Sequence, residues 1–309
     1  MVTPDLSVSL GGVRLKNPVL SASGTFGYGL EFLPFYDISR LGAVVVKGLS
    51  LAPSSGNPPG RIVETPAGML NAIGLQNIGV ERFIDDVVPR LEDAGATFVA
   101  NIYGKTVEEY EALARRLSEV PSLVAIEVNA SCPNVKEGGM AFGSTPEGIA
   151  ELAGRVRGCT GKPLWVKLSP NVTDIACIAR AAEEGGADAV SLINTIVGMA
   201  VDHRSRRPEL SNVTGGLSGP AIKPVALRMA WEAAKAVRIP VIGVGGIQSA
   251  ADALEFFLVG ASAVQIGTAN FRNPRACVDI LEGIEAFFRE ERIGSLGEYR
   301  GGLRLEKSP

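Results

Sequence analysis

Four times along this chain a Gly-Ala pair stands at the head of an apolar run: Gly42-Ala43 before VVVKG, Gly95-Ala96 before TFVANI, Gly186-Ala187 before DAVSLINT and Gly260-Ala261 before SAVQIGT. Glycine is the residue a helix prefers where its C-terminus turns through the left-handed region. Each pair therefore predicts a helix, a tight turn and a strand, as a repeated unit. The β-rich runs number eight in all: PVLSASG, AVVVKG, FVANI, AIEVNAS, LWVKLS, AVSLINT, PVIGVGG and AVQIGTA. Most lack polar-apolar alternation, the mark of parallel strands covered on both faces. The segments between them are amphipathic. In TVEEYEALARRLSEV the residues Val107, Tyr110, Leu113, Leu117 and Val120 recur every three or four positions, and TPEGIAELAGRVRG opens on the helix-start pair Thr145-Pro146. Eight strands alternating with helices predict an α/β fold, a (β/α)8 TIM barrel. A length of 309 residues suits one such barrel as a single domain, 1–309. A doubly wound sheet is the alternative, and the strand count disfavours it. The opening VSLGGVRL alternates about a Gly-Gly turn and predicts a β-hairpin at the barrel floor.

Charge and composition narrow the function. Thirty Lys and Arg against 33 Asp and Glu give a net charge of −3 with no basic block, which speaks against nucleic acid and anionic membrane as partners. No apolar run approaches the roughly 20 residues of a bilayer span, and no leader pattern opens the chain. The four cysteines, Cys132, Cys159, Cys177 and Cys277, are scattered and form no CxxC pair, and the single histidine is His203. Metal-ligand sets and Ser-His-Asp chemistry are poor fits, no metal is expected, and the thiols suit a reducing cytosol.

In barrels of this type the chemistry sits at the C-terminal strand ends. Those ends here carry Ser23, Lys47, Asn101, Asn129, Lys167 and Asn194, then Gly245-Gly246 and Gly267-Thr268. A strand-end Asn is more often a turn former than a ligand, but all eight runs end in polar or glycine residues. Two of them are lysines aimed at the barrel mouth, which imply an anionic or acceptor-rich ligand because a buried unpaired ammonium is costly. The glycines after strands seven and eight match the usual phosphate-binding position, with Ser249 placed to cap the helix that follows. GVGGIQ is not a dinucleotide fingerprint. Three long connections, 48–80, 131–145 and 195–220, are expected as binding loops or lids over the mouth, and the amides of NAIGLQN suit a small planar ligand.

The stretch NASCPNVKEGG places Cys132 just past Asn129, between a strand end and a Pro-stiffened loop. An ordinary thiol ionises near pH ~8.5, so its thiolate can serve as a proton acceptor without histidine. Cys159, Cys177 and Cys277, in helical apolar patterns, read instead as small core residues.

These stretches resemble a known family. SASGTFGYG, VVKG, NAIGLQN, EVNASCPNVKEGG, VKLSPN, INT, TGGLSGPAIKP, GVGGI and IGTANF, in that order between Leu6 and Phe271, are similar to the dihydroorotate dehydrogenases, flavin enzymes of pyrimidine biosynthesis. The cysteine of NASCPN implies the soluble class 1 type, and SGTFGYG with GLSGPAIKPVAL implies the NAD-linked class 1B rather than the fumarate-linked class 1A. The resemblance implies that FMN contacts Ser23, Lys47, Gly48, Asn101, Asn129, Lys167, Ile193, Gly219, Gly245, Gly246, Gly267 and Thr268. It implies that dihydroorotate and its product orotate are held by Lys47, Asn71, Ala72, Ile73, Gly74, Leu75, Asn129, Asn194 and Thr195, with Cys132 as the catalytic base. Lys167 is placed to stabilise negative charge on the reduced flavin. No GxGxxG and no clustered cysteines occur for NAD or an iron–sulfur relay. A partner subunit carrying FAD and a [2Fe-2S] cluster is therefore expected, around a homodimer of this chain in a cytoplasmic heterotetramer. Rival readings are a Schiff-base aldolase, which would be colourless and trapped by borohydride, a tRNA-modifying flavin barrel, which would show a basic face, and a non-catalytic binder.

Overall fold

Parallel pairing runs without interruption around one ring of strands. The computed structural model describes residues 4–130 and 142–305. In chain order its strands are β1 (Val8–Leu10), β2 (Val13–Leu15), β3 (Val19–Ser21), β4 (Val44–Val45), β5 (Ile62–Thr65), β6 (Gly68–Asn71), β7 (Phe98–Ile102), β8 (Leu123–Asn129), β9 (Leu164–Lys167), β10 (Ala189–Leu192), β11 (Ile196–Met199), β12 (Val201–Asp202), β13 (Arg207–Pro208), β14 (Thr214–Ser218), β15 (Val241–Val244) and β16 (Ala263–Ile266). The main sheet has the order β3-β16-β15-β10-β9-β8-β7-β4. A parallel bridge between Leu20 and Ala43 then joins β4 back to β3 and closes the barrel. All eight predicted runs are barrel strands. Helices such as Val107–Ser118, Pro146–Arg157, Ile175–Glu184, Lys223–Ala236, Ala250–Leu258 and Ala276–Glu290 lie between or after them.

The Gly-Ala repeat has a specific cause. At Gly95, Gly186 and Gly260 the backbone is left-handed, with φ of 63°, 91° and 109°. Each glycine N–H donates to the carbonyl three residues back, and the following alanine N–H donates to the carbonyl five residues back, as in Gly186 to Glu183 and Ala187 to Ala182. This is the Schellman helix stop. Gly42 differs: it has no left-handed φ, and an added Cβ would fall 2.2 Å from the Asn17 carbonyl oxygen. It is a close-approach glycine, not a helix stop.

The β1–β2 hairpin turns at Gly11 and Gly12, both at positive φ, in the two-residue loop that matches strand twist. Leu10, Val13 and Leu15 pack with the inward residues Leu20, Val99, Ala125, Trp165, Ala189, Ile242 and Ala263, so the hairpin plugs the lower half of the barrel as expected. The outward strand residues, among them Ile126, Val128 and Val166, pack in the larger core with helix residues such as Leu113, Leu152 and Ile178.

The segments 48–80 and 195–220 differ from expectation. They are not plain loops: they supply β5, β6, β11 and β14 to a four-stranded antiparallel sheet of order β11-β14-β6-β5. The expected lid 131–145 lies outside the described residues as far as position 141. Among the described residues no helix is long and apolar enough to cross a membrane.

Candidate active site

Because successive strand side chains alternate between faces, the inward positions above the apolar plug are Asn101 on β7, Glu127 and Asn129 on β8, Lys167 on β9, Ser191 on β10 and Gln265 on β16. All but Asn129 are buried. Lys167 is only 4% exposed, an ammonium held inside a barrel. Burial pushes it below the ordinary lysine value, and the Glu127 carboxylate opposes that shift. Its Nζ donates to Ser23 Oγ at 3.4 Å, beyond the end of β3. Lys47, just past β4, is half-buried and shifted the same way: burial lowers it, Glu31 opposes, and Arg61 adds to the lowering.

The residues on the proposed phosphate side meet. Gly219, Gly245 and Gly246 all have positive φ. A Cβ on Gly246 would lie 2.9 Å from the Gly219 carbonyl oxygen, and one on Gly245 would lie 3.4 Å from Ile193. Thr268 Oγ1 donates to Ser218 Oγ at 2.8 Å. Gly267 abuts Ala22 at the end of β3, at ordinary contact distance. Ser249 does cap the helix Ala250–Leu258, in a reciprocal box with Asp252. These glycines leave backbone close to the mouth with no side chain in the way, a surface that suits an anionic oxygen cluster.

Apart from Lys47, the expected substrate residues form a second contiguous group. Asn194 Nδ2 donates to Asn129 Oδ1 at 3.2 Å, and Asn129 is the register partner of Lys167. Thr195 N–H donates to Asn194 Oδ1. Asn71 Nδ2 donates to the Gly216 carbonyl at 3.3 Å, and Gly216 lies against the Thr195 hydroxyl. In the run Asn71–Leu75 the carbonyls of Ala72 and Ile73 are held by Asn57, and the Leu75 carbonyl by Tyr103 and Asn77. The Ala72 N–H is also taken, by the Arg61 carbonyl, so the run leaves a ligand the N–H groups from Ile73 to Leu75 and the remaining hydrogen-bonding capacity of the Asn71 amide. Leu75 adopts a left-handed φ of 59° and Gly74 one of 73°, the bend that brings this segment back over the barrel.

Cys132 lies outside the described residues. Of the other thiols, Cys277 is buried and pushed up to about 12 by that burial. Cys177 is helical and half-buried, whereas Cys159 falls past the end of its helix, in the turn after Arg157. Among the described residues no group of three or more His, Cys, Asp and Glu could hold a metal ion. A cavity of about 540 Å³ between Trp231, Lys235, Leu258, Arg300 and Leu303 reaches Val241 and Ser262, at the N-terminal ends of β15 and β16. It belongs to the floor end, away from these residues.

The family model described as dihydroorotate dehydrogenase matches residues 5–288. The chain belongs to the dihydroorotate dehydrogenase family. It is 55% identical over 305 residues to a protein of Geotalea daltonii, covering 99% of this chain and 100% of that one. It is 57% identical over 300 residues to one of Trichlorobacter lovleyi (97% and 99%), and 59% identical over 302 residues to one of Solidesulfovibrio magneticus (97% and 99%). All three are named dihydroorotate dehydrogenase B (NAD(+)), catalytic subunit.

Sequence reasoning named Asn101 and Lys167 but missed the rest of the inner polar layer, Glu127, Ser191 and Gln265. Glu127 is fully buried, and it accepts hydrogen bonds from Asn101 Nδ2 (2.7 Å), Ser191 Oγ (2.8 Å) and Gln265 Nε2 (2.6 Å). The signal was available. Glu127 stands two residues before Asn129, and Gln265 two before Gly267, each a lone polar residue on the same face as a strand-end site residue.

Proposed function

We propose that this chain oxidises dihydroorotate to orotate in pyrimidine biosynthesis, as the FMN-binding catalytic subunit of an NAD-linked enzyme. The observation that carries the reading is the match at 55–59% identity, along 97–99% of the chain, to proteins named as that subunit. The residues at the mouth fit FMN. The left-handed Gly245 and Gly246 with Gly267 suit one terminal phosphate, and the buried Lys167 suits a ring that gains negative charge.

FMN, when bound, supplies the acceptor for a hydride from the substrate ring. The chain's own residues do the rest. Lys47 draws the substrate carboxylate, while Asn71, Asn129, Asn194 and Thr195 orient its amide-rich ring. Cys132 takes the proton from the ring carbon as thiolate. Ser23, Gly48, Asn101, Ile193, Gly219 and Thr268 complete the cofactor cradle. Electrons leave through a second subunit with FAD and a [2Fe-2S] cluster, in a cytoplasmic heterotetramer built on a dimer of this chain.

Two measurements test this. Mass analysis of the released cofactor should give FMN; FAD, or no flavin after reconstitution, sinks the assignment. In stopped flow, dihydroorotate should bleach the isolated chain's flavin, and NAD should not restore the colour until the partner is added. Rapid restoration by NAD alone overturns the two-subunit reading, and rapid restoration by fumarate moves the chain to the fumarate-linked class.

A further inference from the structure

The polar layer beneath the mouth is organised by one carboxylate. Glu127 receives donors from three other strands: Asn101 of β7 on Oε1, and Ser191 of β10 and Gln265 of β16 on Oε2. A carboxylate can only accept, so each amide that meets it must turn its NH2 inward and its carbonyl away. The Asn101 carbonyl consequently faces Gly48 at the mouth. A Cβ at position 48 would sit 2.9 Å from Asn101 Oδ1, and glycine leaves that oxygen open to approach. Gln265 shows the same polarity at a cost, since its Oε1 is buried without a partner. Nothing in a barrel core requires this arrangement. Apolar residues of similar size would pack as well, and a buried charge is weak evidence of stability.

We propose that Glu127 is the positioning residue of this site: it fixes the Asn101 amide so that an acceptor, not a donor, faces the flavin. The inference rests on the FMN reading above. It predicts a rescue. Glu127→Gln sets an NH2 against the Asn101 NH2, or forces the Asn101 amide to invert. Asn101→Asp sets a second carboxylate against the first. Made together, the two changes exchange acid and amide. The new amide at position 127 would donate from the place of Oε1 and still accept from Ser191 and Gln265 at the place of Oε2, while the new carboxylate at position 101 again turns an oxygen outward.

The test is the dissociation constant for FMN, read by flavin fluorescence on apoprotein, with thermal melting as control. Each single change should weaken FMN about tenfold, the scale of one misdirected hydrogen bond. The double change should recover to within roughly threefold of the parent. Recovery of the pair supports the role even where a single variant does not fold. A Glu127→Gln chain that binds FMN like the parent, or a pair no better than the worse single or still unfolded, overturns it. A parent chain that takes up no FMN instead sinks the functional reading itself, and so separates the two failures.

Discussion

On five strands of the barrel, neighbouring inward positions have opposite characters. Val99 lies below Asn101, Ala125 below Glu127, Trp165 below Lys167, Ala189 below Ser191 and Ala263 below Gln265, the lower member of each pair in the apolar plug and the upper one in the polar layer. Two residues along a strand are about 6.6 Å. Over that distance the interior passes from a packed floor, sealed by the β1–β2 hairpin, to a layer holding an ammonium and a carboxylate. Trp165 marks the contrast well. Its Nε1 is buried without a partner, so the ring is there for volume, not for a hydrogen bond. The pair Trp165 and Lys167 puts stability and chemistry on consecutive pleats of one strand. The lower layer should govern whether the chain folds, and the upper layer what the folded chain can do.

The largest effect should come from the mouth, and in rate alone. Cys132→Ser should slow flavin reduction by dihydroorotate about 10²–10⁴-fold, the range of a lost general base, with melting unchanged and partial recovery at high pH. A Cys159→Ser chain serves as the comparison; equal slowing in both would remove the special role of Cys132. Next, Trp165→Ala should cost about 3–5 kcal/mol of folding free energy, measured by denaturant unfolding. The fraction that remains folded should bind FMN normally. A floor change that weakened FMN tenfold in folded protein would break the division between layers.

Lys167→Met should do the reverse: FMN affinity falls by about 1.5–3 kcal/mol, as for a lost charge-assisted bond, and the flavin potential falls with it. The apoprotein should become more stable. Burial holds the folded Lys167 below its ordinary value of 10.5, so between these two values the unfolded chain binds more protons, and parent stability rises with pH. The advantage of Lys167→Met is therefore greatest near neutrality and shrinks as pH approaches 10.5. An advantage that grew with pH would reverse the sign argued for Lys167. The smallest effect is expected at Gly267→Ala. Its Cβ would meet nothing closer than 3.5 Å, at Ala22, so melting should stay within about 0.5 kcal/mol. FMN should weaken roughly three- to tenfold if the backbone there approaches phosphate. Unchanged FMN binding would move the phosphate away from the loop after β16.

Much of the barrel was legible because each of its strands is short, apolar and followed by a polar or glycine end, a pattern that local physics alone produces. Gly42 misleads because a glycine required by close approach to Asn17 looks, in sequence, like one required by a helix stop. The strands β6 and β14, at the centre of the second sheet, were unreadable for a deeper reason. GMLN and TGGLS have little strand propensity of their own, and they are strands because they pair with each other across the mouth. In the site, residues at strand ends stood out because polarity there is unexpected. Glu127 and Gln265 were harder to read: their spacing puts them on the site's face, but what one polar letter inside an apolar run does there depends on its partners on other strands.

The pairing of β6 with β14 also sets an order of events during synthesis. Asn71 reaches Gly216, 145 residues later in the chain. At about 5–20 residues per second, the β5–β6 hairpin emerges and waits roughly 7–30 s for its neighbour. The barrel cannot close sooner either, because β3 pairs with β16, near the end. Lys47 and Gly48 are thus among the first of the expected cofactor residues to be made, and Gly267 and Thr268 the last. The ribosome must finish almost the whole chain before there is a closed barrel mouth for a ligand to enter. On the function proposed above, flavin supply can then act only on a nearly complete polypeptide, and a chain truncated before β16 lacks the strand that joins β15 to β3.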